Sequence, residues 1–412
     1  MNPDPHCSWM LASSADNIQS DVHVPVAWVW AAPDVAATAE SFASLHARLS
    51  AALAALLPVH FPSAASRISH DPDAGYTFAP LPASGLEPGS VPLQTAEDLA
   101  APAIPAAGPL PESWALPAAA FAPRAAVGLD VASWFRLTRM RGGVVLVAAL
   151  HHAVGDMRAM TMIMTALSDA VEGRAVDGLH VVHDRALMRG DPSKAPEAVP
   201  KACRVVIDNA EAVLAAEGSD RRPFRRRYSR EEINVLKKEL ACDGFEPTTN
   251  DIVCAIALQD AAKSLSAEED VGLLFPADVR GRFRSVPKEY FGNAIALCTT
   301  PLSTAGAVVD AQLRDLVRMV HDAKVAGMAT EEIDAVLNWE AARRNRPRAF
   351  IGPEGRRLGL TNWSTFPIFD VTCGLGTPVA IVPCYPGWLP FLGFVLPVEP
   401  SAGSGVDVII TL

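Results

Sequence analysis

The sequence predicts an α/β protein made of two layered domains that face one another across a cleft. Three observations carry that expectation. The chain has 412 residues, half of them hydrophobic and a fifth charged, which is enough apolar surface for two cores and more chain than one ordinary domain holds. Strand-like runs alternate with long helical patterns in both halves. Between the halves, MRGDPSKAPEAVPKACR is polar, contains proline and suits a linker. The expected division is a first domain over 1–190, a crossover over 191–222 and a second domain over 223–412.

The elements follow in order. VPVAWVWAAP reads as a strand bounded by proline. DVAATAESFASLHARLSAALAALLP places apolar residues at helical spacing and is expected to end at Pro58. SRISHDPDAGYTFAPL is a hairpin, because DPDAG supplies turn chemistry between two apolar stretches. Residues 98–124, rich in alanine and proline, read as an irregular connection. VASWFRLTRMRGGVVLVAALHH is two strands joined at Arg141-Gly142-Gly143, and MRAMTMIMTALSDAVEGR is a helix.

In the second half, RRPFRRRYSREEINVLKKELACDG predicts a helix that starts after Ser229, with Glu231 and Glu232 in its first turn, and stops at Gly244. TTNDIVCAIALQDAAKSL is another helix; VGLLFPADVRGR and NAIALCTTPL are strands. After a further helical stretch, TNWSTFPIFD, TPVAIVPCY, GWLPFLGFVLPVE and GVDVIITL read as successive strands.

Charge and composition exclude some functions. A formal charge of −11 argues against the basic surface on which nucleic-acid affinity depends. No run reaches eighteen consecutive apolar residues, and MNPDPHCSWMLASSADNIQ lacks the basic-then-apolar layout of a signal peptide, so a cytoplasmic protein without membrane contact is expected. The seven cysteines are scattered without a CxxC pair, which points to reduced core residues rather than disulfides or a zinc knuckle. No metal is expected.

Chemistry enters at VLVAALHHAVGD, an apolar run that ends in two histidines and a carboxylate. The end of a buried strand is where a rigid scaffold can hold a base. A neutral imidazole, with an ordinary pKa of about 6.5, can take a proton from a hydroxyl or amine that attacks a thioester or ester carbonyl. Over the four-residue step from His152 to Asp156, the carboxylate could lock the loop by pairing with a cation while His152 projects into the cleft. His151 is then either a packed neighbour facing the other way or a second base. Met157, Met160, Met162 and Met164 are filler or pocket lining. HxxxD alone is weak, since the spacing arises by chance. No GxSxG elbow is present and no cysteine sits in a setting that lowers a thiol pKa, so no acyl-enzyme is expected.

The chain resembles the HxxxD acyltransferases of the BAHD family over most of its length. The resemblance rests on SRISHDPDAG, HHAVGD, FRRRYSREEINVLKKEL, TTNDIVCAIAL, PADVRGRFRSVPKEYFGNAI, LTNWSTFPIFDVTCGLGTP and the closing FVLPV and VDVIITL, in the family's order. It implies two similar chloramphenicol-acetyltransferase-like domains, each a mixed β-sheet with helices, with an active-site tunnel at their interface and a segment near 365–390 joining the first domain's sheet. Low aromatic content and an alanine-rich style resemble fungal members that act in secondary metabolism, such as trichothecene acetyltransferases.

The resemblance also implies roles. His152 would be the general base, Asp156 would pair with Arg280 to hold the loop, and Gly155 would give the loop room. Thr361 and Trp363 would lie beside the reacting carbonyl, the indole N–H stabilising an oxyanion; Trp363 is otherwise a core residue. Six arginines between Arg221 and Arg230 form either a solvated face or a patch for the phosphates of coenzyme A, with Arg226, Arg227, Ser229 and Lys238 as the candidate contacts. The family's DFGWG signature falls on Thr372-Cys373-Gly374-Leu375-Gly376, which keeps both glycines and loses the acid and both aromatics; Asp370 does not replace that acid.

The expected activity is direct transfer of an acyl group, acetyl by preference, from acyl-CoA as co-substrate to a hydroxyl of a small, mostly apolar metabolite. A monomer is expected, with no permanently bound cofactor. Two alternatives stand beside this: a stand-alone relative of peptide-synthetase condensation domains that uses carrier-protein thioesters, and a decayed member that only binds a metabolite.

Overall fold

The computed structural model describes residues 10–19, 22–80, 93–105, 110, 130–208, 224–242, 244–344, 349–384, 391–398 and 405–412. Most of the expected connection over 98–124, residues 209–222 of the crossover and the first residues of GWLPFLGFVLPVE lie outside the described residues.

Two mixed sheets dominate. The first has five strands in the order Ala380–Pro383, His23–Ala31, Gly143–His151, Ser133–Met140 and Leu93–Asp98; only the last pair is parallel. Its centre is Gly143–His151, buried along its whole length, as suits a strand covered on both faces. Arg141-Gly142 makes the tight connection into it, and Gly142 takes the positive φ of 83° such a turn requires. The helices Ala39–His60 and Met157–Val171 cover one face, where Leu45, Leu49, Leu53 and Leu57 meet Trp28, Leu146 and Ile163. The helix Ala39–His60 is long and apolar enough to cross a membrane by length and composition, but its leucine stripe is committed to this core.

The second sheet runs Ile295–Thr299, Asp270–Asp278, Arg357–Asn362, Leu392–Pro397, Gly405–Thr411 and Phe224–Ser229, with Ser303–Thr304 paired to its second strand. The helices Thr249–Ala262 and Leu313–Gly327 pack on it around Ile252, Val253, Val317 and Val320. The apolar cluster of the first sheet also takes in Phe291, Trp363, Phe394 and Leu396 from the second half, so that cluster reaches from one sheet to the other. The strand Ala380–Pro383 crosses between the halves, and the Trp28 indole N–H donates to the carbonyl of Ile368 at 2.9 Å just before it.

The hairpin forms as the turn residues require: Asp71 pairs with Gly75, and Asp71 Oδ1 accepts from the N–H groups of Asp73 and Ala74. Three expectations are corrected. The helix beginning at Ala39 runs past Pro58 to His60, because Phe61 N–H donates to the Leu57 carbonyl and Leu56, Leu57 and Phe61 are buried together. The helix after Ser229 stops at Leu240 rather than Gly244; the chain turns sooner because Cys242 and Phe245 bridge back to back. TNWSTFPIFD is not a strand: pairing stops at Asn362, whose Oδ1 accepts from the Ser364 N–H and hydroxyl, and the rest is turns and a short 3₁₀ segment. In the linker-like stretch Met188 and Cys203 are buried and the Gly190 N–H is held by Ser14 Oγ.

Candidate active site

The central strand of the first sheet ends at His151, and the next five residues form a tight loop before the helix Met157–Val171. Asp156 caps that helix: its Oδ1 accepts from Ala159 N–H at 3.1 Å, which satisfies one of the helix's free donors. The same carboxylate takes two parallel bonds from Arg280, Nη1 to Oδ2 at 2.9 Å and Nη2 to Oδ1 at 3.0 Å. A fourth bond comes from Ala294 N–H at 3.1 Å.

Arg280 is 1% exposed at its side chain, and each of its five N–H groups has an acceptor. Besides Asp156 these are the carbonyls of Tyr290 and Gly292 and the carboxylate of Asp278. The acid of the HxxxD motif therefore points back into the second half of the chain, 124 residues away, and braces the loop from behind.

His152 stands on the other side of that loop. Its ring is half-buried, its main-chain N–H donates to the Val22 carbonyl and its carbonyl accepts from Asn293 Nδ2 at 2.7 Å. Burial pushes the imidazole pKa below its ordinary value, against smaller opposing contributions from its own carbonyl, Asp156 and Asn293. The sign is clear: disfavouring the cation keeps the neutral base populated to lower pH. If His152 is the base, kcat/KM should stay level down through about pH 6.5 and fall only on the acid side. An acid limb above pH 6.5 would contradict this.

His151 is buried and faces elsewhere, its Nδ1 accepting from Ala153 N–H and its ring edge-on to His23 and Tyr76. Gly155 is needed for space. A Cβ there would meet the Cβ of Ala159 at 2.6 Å and Leu150 Cδ2 at 3.2 Å. Gly155→Ala is thus expected to cost about 1–3 kcal/mol by overpacking, seen as a lowered thermal midpoint; an unchanged midpoint would show that the loop has slack.

Thr361 lies at the end of the strand Arg357–Asn362, and Trp363 follows where that strand stops. Trp363 is buried against Phe394 in the cluster that holds Ala153 and Val154, the two residues after His152. Its indole N–H, the expected oxyanion donor, donates to Thr361 Oγ1 at 3.1 Å, so the two candidate residues are tied to one another. Thr361 is half-buried, and its hydroxyl, which accepts here, can also donate.

Arg226, Arg227 and Ser229 lie on the outer strand Phe224–Ser229, three strands from Arg357–Asn362, or about 14 Å in the sheet plane at roughly 4.8 Å per strand. Arg226 pairs with Asp260 at 3.2 Å and Arg227 with Asp407 at 3.5 Å, both exposed, while Arg225 grips Asp407 with two nitrogens. Ser229 is engaged as a helix cap, its Oγ accepting from Glu232 N–H. Lys238 is exposed in the last turn of that helix.

At the altered signature, Thr372 and Cys373 both donate main-chain N–H groups to Ser168 Oγ, and Glu172 accepts from Gly374 N–H and the Thr372 hydroxyl. A polar latch onto the helix that begins at Asp156 stands where the acid and aromatics are missing. Burial pushes the thiols of Cys203, Cys298 and Cys373 up to about 12, which makes them poor nucleophiles.

Two mixed sheets sharing a core, with a histidine loop braced across it, define the class of the HxxxD acyltransferases. The chain belongs to that BAHD family: the model of the Transferase family matches residues 121–412. Among curated relatives it is 23% identical over 293 residues to putrescine hydroxycinnamoyltransferase 3 of Oryza sativa subsp. japonica, covering 66% of this chain and 64% of that protein. It is 24% identical over 247 residues to alcohol acyl transferase 1 allele GSb of Malus domestica, covering 58% and 52%. The matches thus span half to just under two thirds of these relatives. Among solved structures, TRI101 of F. sporotrichioides complexed with coenzyme A and T-2 shares the fold at a TM-score of 0.73 and 15% identity, over 98% of this chain and 95% of that one. Vinorine synthase does so at 0.63 and 16%, over 98% and 93%.

Proposed function

We propose that the protein is an acyl-CoA-dependent O-acyltransferase, with His152 as the general base and a small, mostly apolar alcohol as acceptor. One observation carries the reading. The loop of His152 is bonded through its backbone and through Asp156, while the ring Nδ1 has no hydrogen-bond partner among the described residues. A ring held by its surroundings and left chemically free is what a base needs.

Nε2 takes the hydroxyl proton as the oxygen attacks the thioester carbonyl. Thr361 donates to the oxyanion, the C–S bond breaks, and the imidazolium returns the proton to the departing thiolate. The relatives support this class: one is a hydroxycinnamoyltransferase, one an alcohol acyl transferase, and TRI101 binds coenzyme A. The donor is proposed to be acetyl-CoA, bound along the edge that carries Arg226, Arg227 and Lys238, in a cytoplasmic monomer without a resident cofactor or metal. A tunnel between the domains, bounded at 191–222, would admit donor and acceptor from opposite sides.

The test is a thiol-release screen of purified protein with acetyl, malonyl and longer acyl thioesters against candidate alcohols. Alcohol-dependent release from free acyl-CoA is the expected result. Release only from carrier-protein thioesters would favour the condensation-type alternative, whose fold is shared at a TM-score of 0.56 by the first condensation domain of the CDA synthetase. No release from either would leave a binding protein.

A further inference from the structure

The strand that carries Thr361 is tied from behind to the start of a helix, through a contact for which the proposed function has no use so far. Successive residues of Arg357–Asn362 face opposite sides of the second sheet. Leu358 and Leu360 pack in the cluster of Ile252 and Val253 from the helix Thr249–Ala262, and Asn362 shares their face. Thr361 and Trp363 share the other face, where Trp363 meets Phe394 in the cluster that reaches the first sheet.

Asn362 joins two structures. Its Oδ1 accepts from the Ser364 N–H at 2.9 Å and from the Ser364 hydroxyl at 2.7 Å, which closes the turn around Trp363. Main-chain bonding to the neighbouring strand continues only as far as the Trp363 N–H, which donates to the Val395 carbonyl at 2.8 Å. A main-chain N–H can only donate, so the amide end of Asn362 facing Ser364 is the oxygen and the NH₂ lies opposite. From that end Nδ2 donates to Asn250 Oδ1 at 2.9 Å. Asn250 is half-buried in the first turn of the helix Thr249–Ala262. That turn is itself locked by a reciprocal cap, Thr248 N–H to Asp251 Oδ2 at 2.9 Å and Asp251 N–H to Thr248 Oγ1 at 3.3 Å. The fully buried Asp251 also takes Lys324 Nζ at 2.6 Å.

We propose that Asn250 is a positioning residue for the Thr361 hydroxyl, holding the turn of Asn362 and Trp363 so that this hydroxyl keeps its place beside the reacting carbonyl. The inference rests on the acyltransferase reading, in which Thr361 donates to the oxyanion. The anchor acts on the face away from the reacting groups, so it can fix the donor without touching the substrate. A donor to developing charge has to be in place before the charge forms, and a displacement of about 1 Å is enough to cost much of the rate.

The experiment measures thiol release by the full chain with acetyl-CoA and an alcohol that the wild type accepts. Asn250→Ala is expected to lower kcat roughly 10-fold with KM for acetyl-CoA changed less than about 2-fold, a split that general loosening of the fold would not give. Asn250→Asp still offers an oxygen to Asn362 Nδ2 and should stay within about 3-fold of the wild-type kcat. Asn362→Asp should be tolerated as well, because the Asn250 amide can turn its NH₂ toward the new carboxylate. The double variant Asn250→Asp, Asn362→Asp sets two acceptors face to face and should fall at least as far as Asn250→Ala. If Asn250→Ala does not fold, Asn250→Ser, with a shorter side chain that leaves the span open, is read in the same way. A wild-type kcat in folded Asn250→Ala, or an Asn250→Asp as slow as Asn250→Ala, overturns this inference alone. A wild type that releases no thiol from any acyl thioester overturns the acyltransferase reading and the inference together.

Discussion

His152→Ala is expected to lower kcat for acyl transfer by about 10²–10⁴-fold while leaving the protein folded. The size follows from removing the group that takes the alcohol proton. Without it, the hydroxyl must attack in its protonated form or lose its proton to water. The structural cost is small, because the ring is half-buried and the loop is held by Asp156, Asn293 and backbone bonds. KM for the thioester should move little, since the imidazole acts on the acceptor hydroxyl. Equal thiol release by wild type and variant would remove His152 from the mechanism.

Arg280→Ala has the largest expected effect on stability, about 3–5 kcal/mol, because it leaves the Asp156 carboxylate buried without its cation. The guanidinium also holds the carbonyls of Tyr290 and Gly292, so its loss unties the second half from the loop. Rate should fall with stability. Arg280→Lys is not expected to rescue either, as an ammonium cannot make the two parallel bonds or fill five acceptor positions. Thermal unfolding and thiol release measured on the same preparation check both effects. A fully stable, fully active Arg280→Ala would show that the brace is dispensable. Asp156→Asn should be milder, because an amide still caps the helix and still offers one oxygen to the arginine.

What the sequence shows and what it hides divide along physical lines. Gly143–His151 is legible because a strand buried on both faces reads as an unbroken apolar run, and the Asp71–Gly75 hairpin because its turn chemistry is local. Arg280 is a different case. Nothing local ties it to Asp156 across 124 residues, and only the resemblance to a family with that pairing brings the two together. The TNWSTFPIFD turn misleads since its apolar residues are buried by packing rather than by pairing: Trp363, Ile368 and Phe369 fill the shared core from a non-repeating backbone. The direction of the Trp363 N–H also lies beyond pattern, because a single rotamer decides whether it meets Thr361 or a ligand.

A buried cluster, in which Asp16 of the short helix Ser14–Asn17 accepts from Arg185 and Asn293, was the least accessible of all. A four-residue helix shows no periodicity, and its buried carboxylate takes meaning only from partners 169 and 277 residues away. Arg185, which lies just ahead of the linker-like stretch, is 6% exposed and paired with Asp16, and no local pattern marks it as buried.

The central claim is that two halves of the chain hold one neutral imidazole, braced from behind and open in front, where a thioester and an alcohol meet. A crystal structure of the protein with coenzyme A and a transferred-to alcohol tests it most directly. The account predicts the alcohol oxygen within hydrogen-bond reach of His152 Nε2, roughly 2.6–3.2 Å, with the coenzyme thiol on the adjoining side and Thr361 facing the place of the carbonyl oxygen. Coenzyme A seated with its thiol away from His152, or a ring closed off from both ligands, would contradict it.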